Sequence, residues 1–225
     1  MTGDETGARR RDALVVALSF ASGAVDAVGF LALGGVFLAN MTGNFVLLGL
    51  AAGQGRGVET LGHAVAFAGF VGGQLAGFRL VRQPADETTI WPARVRYLLG
   101  LELLLLVAAL SGWIVTRGEP AGDWRFLFVA VLAAAMDMQN AGVHRLSAGL
   151  ATGYITGALT ALMGQFMLPA HRDGRAVSRI AVILALGIGA AAAALLLTYA
   201  RPIALVLPVV TVLAVVTAVS GPPRR

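Results

Sequence analysis

The chain has no cysteine and no lysine: all 17 of its basic residues are arginine. Without cysteine there is no disulfide, no thiolate nucleophile and no Cys-based metal site. Without lysine there is neither a Walker lysine nor a Schiff-base lysine, and no stretch reads G-x-x-x-x-G-K-[ST], so the chain is not expected to pump with ATP by itself. The three histidines, His63, His144 and His171, are too scattered for an H-E-x-x-H pair. Charge is scarce as well. Only 13% of the 225 residues are charged and 57% are hydrophobic, whereas about a quarter of a soluble domain is charged. These proportions leave no room for a soluble catalytic or nucleotide-binding domain and mark a membrane protein. The net charge of +5 does not point to nucleic acid, because the arginines flank hydrophobic segments, where they act as topology signals.

What fills the chain is apolar sequence. Eight stretches, at about 13–33, 36–53, 61–81, 97–116, 124–143, 149–168, 179–199 and 202–219, approach the roughly 20 residues a helix needs to cross a bilayer. Turn chemistry separates them: Gly34-Gly35, Gly53 to Gly57, the polar run Gln83 to Thr89 with Pro92, Gly118 to Gly122, His171 to Gly174, and Arg201-Pro202. Arg9-Arg10-Arg11 ahead of the first run resembles a signal-peptide start, but the apolar pattern continues through seven more segments and favours a first span.

The sequence also looks duplicated. Asp26 and Asn140 lie 114 positions apart, and the same shift places Ala27 on Ala141, Gly35 on Gly149, Ala39 on Gly153, Thr42 on Thr156 and Gly43 on Gly157. Later segments follow with a slip of a few residues, setting Gly69, Gly73 and Gly77 against Ala181, Ala185 and Gly189. The expected organisation is an N-terminal cytoplasmic tail (1–12), a first membrane repeat (13–116), a linker loop (117–123), a second repeat (124–219) and a C-terminal tail (220–225). Small residues every fourth position let helix backbones approach closely in lipid, either within one bundle or between the copies of a homo-oligomer.

Parity decides the topology. With eight crossings the arginines at 79–96 fall opposite Arg9 to Arg11. If 36–53 and 150–167 instead dip in and return, six crossings remain and the halves are inverted. Twelve arginines (9, 10, 11, 79, 82, 94, 96, 172, 175, 179, 224 and 225) then share one side and four (56, 117, 125 and 201) the other, with Arg145 in a break. That bias favours an all-α polytopic transmembrane bundle of two related halves, with six full spans plus two short or broken segments; eight spans is the alternative.

An ionised carboxylate at mid-membrane costs roughly 2.5 to 3.5 kcal/mol on insertion scales, so intramembrane acids face a cavity or a partner. Asp26 shares a helix face with Ser19 and Ser22, and the polar break Asn40-Met41-Thr42-Gly43-Asn44 follows. Breaks of this kind free backbone groups and helix ends to hold an ion or polar solute. The second half repeats the theme with Asp137, Asn140 and His144 on one face, then Gln139, Arg145, and the hydroxyls of Thr152, Tyr154, Thr156 and Thr160. Asp26, Asn40, Thr42, Asn44, Asn140 and Thr156 are the first candidates for a solute or ion path. Ser22, Asp137, Gln139 and Arg145 are secondary ones. In the competing reading these polar groups pair with one another, Asp26 or Asp137 with Arg145 or His144, and the threonines bond their own helix. Glu102 is expected to pair with an interfacial arginine, Gln74 and Gln165 to make interhelical hydrogen bonds, His63 and His171 to lie at the interface, and Trp91, Trp113 and Trp124 to form an aromatic belt.

The runs Ser22-Gly23-Ala24-Val25-Asp26-Ala27, Phe30-Leu31, Asn40-Met41-Thr42-Gly43-Asn44, Gln139-Asn140-Ala141 and Thr156-Gly157-Ala158-Leu159-Thr160 resemble the YoaK family of bacterial multi-pass membrane proteins, over essentially all of the chain after residue 12. A small residue commonly stands in that family where this chain has Asp137, so the resemblance lends Asp137 no family-wide role. It implies a plasma (inner) membrane protein with six spans and supplies no substrate; the arginine bias points to a cytoplasmic N-terminus. The expected function is a secondary transporter or channel-like permease for an unknown small solute or ion, with its site at the midplane between the halves. The alternative is a non-transporting accessory protein that binds partner membrane proteins or lipids. Intramembrane enzymology fits least, since no G-x-G-D motif accompanies the acids, and neither cofactor nor metal is expected.

Overall fold

The computed structural model describes residues 2–81, 92–146, 155–167 and 175–220. Eight α-helices follow one another among them: α1 (Thr2–Ala32), α2 (Met41–Gly53), α3 (Gly57–Leu80), α4 (Ala93–Val115), α5 (Asp123–Leu146), α6 (Ile155–Met167), α7 (Ala176–Tyr199) and, after a 3-10 turn at Arg201–Ile203, α8 (Val206–Ser220). Helix is the form that lets an apolar segment satisfy its own backbone in lipid. Six of these stretches are long and apolar enough to cross a membrane, the last counted from Arg201 to Ser220. The polar N-terminal residues continue the helix, which begins at Thr2. α2 has 13 residues. At 1.5 Å per residue it reaches about 20 Å, short of the roughly 30 Å hydrocarbon core.

Contacts between helix ends decide the parity. Ser178 on α7 donates to Asp12 on α1, and Arg10 donates to the carbonyl of Ala218 on α8, so the starts of α1 and α7 and the end of α8 share one side. At the other side Arg201 Nε donates to the carbonyl of Gly118 at 3.0 Å and Trp113 Nε1 to the carbonyl of Arg201 at 2.9 Å, bringing the end of α4 to the end of α7. Arg125, at the start of α5, lies against Gly34, just past the end of α1. Thus α1, α4 and α7 run one way and α3, α5 and α8 the other. Eight alternating crossings would put Gly118 and Arg201 on opposite sides. Six crossings fit, and Arg9, Arg10, Arg11, Arg79, Arg94, Arg96, Arg175 and Arg179 then share a side, opposite Arg56, Arg117, Arg125 and Arg201.

α1 and α5 are the most buried elements; every residue from Ala21 to Gly29 is buried, as are Leu132, Ala133 and Ala135 to Gln139. Each packs parallel to a helix of the other half, α1 on α7 and α5 on α3. Further pairs are α2 with α3, α6 with α7, α4 with α5, α8 with α1, and α4 with α8. Exchanging α1–α4 with α5–α8 returns the same set of pairs.

Small residues make the two parallel crossings. A β-carbon on Gly23 would overlap the carbonyl of Leu186, and one on Gly189 the carbonyl of Phe20; across α3 and α5, Gly73 meets the carbonyl of Ala134 in the same way. Phe20 and Ala134 stand 114 positions apart, so Gly189 occupies the place of Gly73, one turn from the Gly77 that the sequence spacing sets against it. A glycine repeat of period four cannot reveal a slip of one turn; the backbone contact does. These small-residue faces are taken up inside the chain.

Candidate functional site

The site begins with a chain reversal. Gly34 and Gly35 have positive φ values of 95° and 76°, a region costly for residues bearing a β-carbon. The Gly35 N–H returns to the carbonyl of Phe30 at 3.1 Å, closing α1 in a Schellman-type turn. The chain then runs back along α1, where Gly29 leaves room for the carbonyl of Val36.

Asp26 receives the returning strand. Its Oδ1 accepts the backbone N–H of Leu38 at 2.6 Å and of Ala39 at 2.7 Å. These bonds place the start of α2 beside Asp26, about 9 Å back from the end of α1, and α2 leads out again to α3. Segment 33–53 is therefore re-entrant. Asn44 locks it from within: its Oδ1 accepts the Phe37 N–H at 2.9 Å and its Nδ2 donates to the Phe37 carbonyl. Asn44 is 1% exposed, so this residue, expected on the path, is a clamp for the break.

The break, α3 and α5 enclose a cavity of about 280 Å³ lined by Ala39, Asn40, Met41, Thr42, Phe70, Gln74, Phe78, Asp137, Asn140 and His144. Asn40, Thr42 and His144 are exposed, while Asp137 is 0% exposed. Asn140 Nδ2 donates to Asp137 Oδ1 at 3.0 Å. Gln74 reaches toward the same carboxyl from α3. The other oxygen, Oδ2, is buried with no hydrogen-bond partner among the described residues. Asp26 lies just behind the wall, close enough for its charge to be felt at Asp137.

The structure thus gathers Asn40, Thr42, Asn140 and Asp137 around one space and puts Asp26 and Asn44 behind it as its frame. Ser22 accepts from Gln139 Nε2 at 3.1 Å, and Ser22 itself back-bonds to Leu18, so this pair ties α1 to α5. Thr156 is exposed and does not line the cavity. Its carbonyl accepts from Thr160 at 2.8 Å, as helical threonines commonly arrange. Thr152, Tyr154 and the rest of the second break, Trp91, His171 and the side chains of Arg145 and Gln165 lie outside the described residues.

Three expectations change. Glu102 has no arginine partner among the described residues: it is 0% exposed and both its oxygens lack a hydrogen bond, because the apolar face of α4 that carries it turns inward with Leu98, Leu99 and Leu106. Trp113 is buried and bonded to Arg201, outside any lipid-facing belt. His63 is buried in the second turn of α3. Gln74 makes the interhelical contact expected of it, from α3 to the Asp137 carboxyl on α5, and with Phe70 and Phe78 it also lines the cavity.

These features define a polytopic helical membrane protein with a re-entrant break and a polar cavity beside it. The chain belongs to the family described as protein of unknown function DUF1275, whose model matches residues 14–219. It is 33% identical over 159 residues to the UPF0700 transmembrane protein YoaK of Bacillus subtilis (strain 168), an alignment spanning 70% of this chain and 68% of that relative. No solved structure matches it significantly.

Proposed function

We propose that the protein is a secondary transporter or channel-like permease for a small solute or ion, acting from the plasma membrane without chemistry on covalent bonds. One observation carries the reading: a cavity of about 280 Å³ joins a re-entrant helix break to a buried carboxyl, one oxygen of which has no hydrogen-bond partner among the described residues. Irregular backbone at membrane depth persists where it lines a cavity, and intramembrane acids mark solute or proton paths. In this reading Asn40, Thr42, Gln74, Asp137 and Asn140 contact the solute, while Asp26 and Asn44 position the break. Movement would be a rocking of the two helix sets about α4 and α8, with Asp26 available for proton coupling.

The test is flux of small solutes and ions into liposomes that hold the purified chain. Transport that weakens in Asp26→Asn is expected; if nothing moves and Asp26→Asn leaves every phenotype intact, the reading fails. The arginine bias supports a cytoplasmic N-terminus. Because the chain has no cysteine, single Thr2→Cys and Gln54→Cys variants report sidedness directly. An impermeant maleimide should label the Gln54→Cys variant in intact cells and the Thr2→Cys variant only after lysis.

A further inference from the structure

We propose that the cavity selects a small organic ammonium ion, with the Asp137 carboxylate as its counter-charge; this rests on the transport reading above for its biological use, but not for its binding chemistry. Asp137 lines the space, and Asp26 stands behind it within electrostatic reach. No arginine lines the cavity among the described residues. Among the described residues His144 is the one basic side chain on the wall, and its ring meets Phe78 edge-on with centroids 6.1 Å apart. A cation would pair with the Asp137 carboxylate, which has no basic partner among the described residues, whereas an anion would find no counter-charge there.

The remaining wall narrows the class. The amide oxygens of Asn40 and Gln74, the Thr42 hydroxyl and Asp137 Oδ2, which has no hydrogen-bond partner among the described residues, are acceptors for N–H donors. The rings of Phe70 and Phe78 and the Met41 thioether make up the rest of the polarizable lining. Aromatic faces attract ammonium groups, while hard metal ions take cages of oxygen ligands. No group of three His, Cys, Asp or Glu side chains able to hold a metal exists among the described residues. The volume equals that of about nine liquid waters, which suits a few carbon atoms on one charged nitrogen and is too roomy for a bare ion.

The experiment uses the full chain in detergent and in liposomes, with ethylammonium, tetramethylammonium, acetate and glycerol as probes. Calorimetry should show binding of an ammonium probe and none of acetate or glycerol. Asp137→Asn should weaken it at least about tenfold, as loss of a close charge pair does, and Asp137→Glu should retain part of it. Phe78→Leu, which leaves the carboxyl in place, should weaken tetramethylammonium more than ethylammonium. Thermal unfolding of each variant shows that it is folded. Acetate binding as well as ethylammonium, no ammonium binding at all, or unchanged binding in folded Asp137→Asn overturns the proposal. Ammonium binding that appears only when Arg145 is neutralised overturns it too, since Asp137 would then already have its counter-charge. Binding without flux leaves the ammonium site standing and removes the transport reading; flux of neutral solutes without ammonium binding does the reverse.

Discussion

Along α1, Gly23 presses its bare Cα against the carbonyl of Leu186 on α7. At the matching position of α5, 114 residues later, stands Asp137, and α3 opposite it carries Gln74 and a cavity. The two crossings share their anchor, since Gly189 meets Phe20 as Gly73 meets Ala134, and part company one turn further along. Where the residue is glycine the backbones close. Where it is a carboxylic acid, with Asn140 beside it, they leave a polar space that the re-entrant segment covers. One bundle plan therefore supplies a sealed seam and an open one, and the difference lies in a few side chains rather than in the path of the chain.

The strongest way to break this comparison is to exchange the residues. Gly23→Asp puts a side chain into the Leu186 carbonyl and an unpaired carboxyl into a sealed seam. A loss of about 4 kcal/mol or more is expected, read as failure to recover monodisperse protein; a stable Gly23→Asp variant would show that the seam is not close-packed. Next is Asp26→Ala, which leaves the Leu38 and Ala39 N–H groups without an acceptor and should cost about 2 to 3 kcal/mol in thermal unfolding, with Asp26→Asn costing less. Asn44→Leu removes both bonds to Phe37 and should cost about 1 to 2 kcal/mol while exposing the break to proteolysis. Glu102→Gln tests a polar residue outside both seams: it removes an unpartnered buried acid, so unfolding should occur at the same or a higher temperature. Thr156→Ala, on an exposed face, should change stability by less than about 0.5 kcal/mol. A flux defect in a stable Thr156→Ala protein would return that residue to the path.

The architecture was legible because it rests on length and charge. The second apolar segments of the two halves were too short and polar to span, and the arginines sorted themselves by side; in the first half this segment is the short helix α2, Met41–Gly53. Within the site, the sequence could mark polar residues but not assign their work. Asp26 and Asn44 look as much like ligands as Asn40 and Asn140, because the distinction lies in whether backbone N–H groups have already claimed their oxygens, and that depends on a reversal eight residues long. Glu102 misled for the opposite reason: proximity to Arg96 in sequence suggests a partner, whereas helical phase turns the acid inward.

The exchange of partners between the two sets of helices also has a consequence for synthesis. α1 ends at residue 32 and its parallel partner α7 starts at residue 176. At about 5 to 20 residues per second, the ribosome needs roughly 7 to 29 seconds to deliver one after the other. For that interval the glycine face of the first helix waits in the bilayer or against the insertion machinery, and neither set of four can complete its own interior. Chains cut in the 117–123 loop should consequently be found as a pair or not at all.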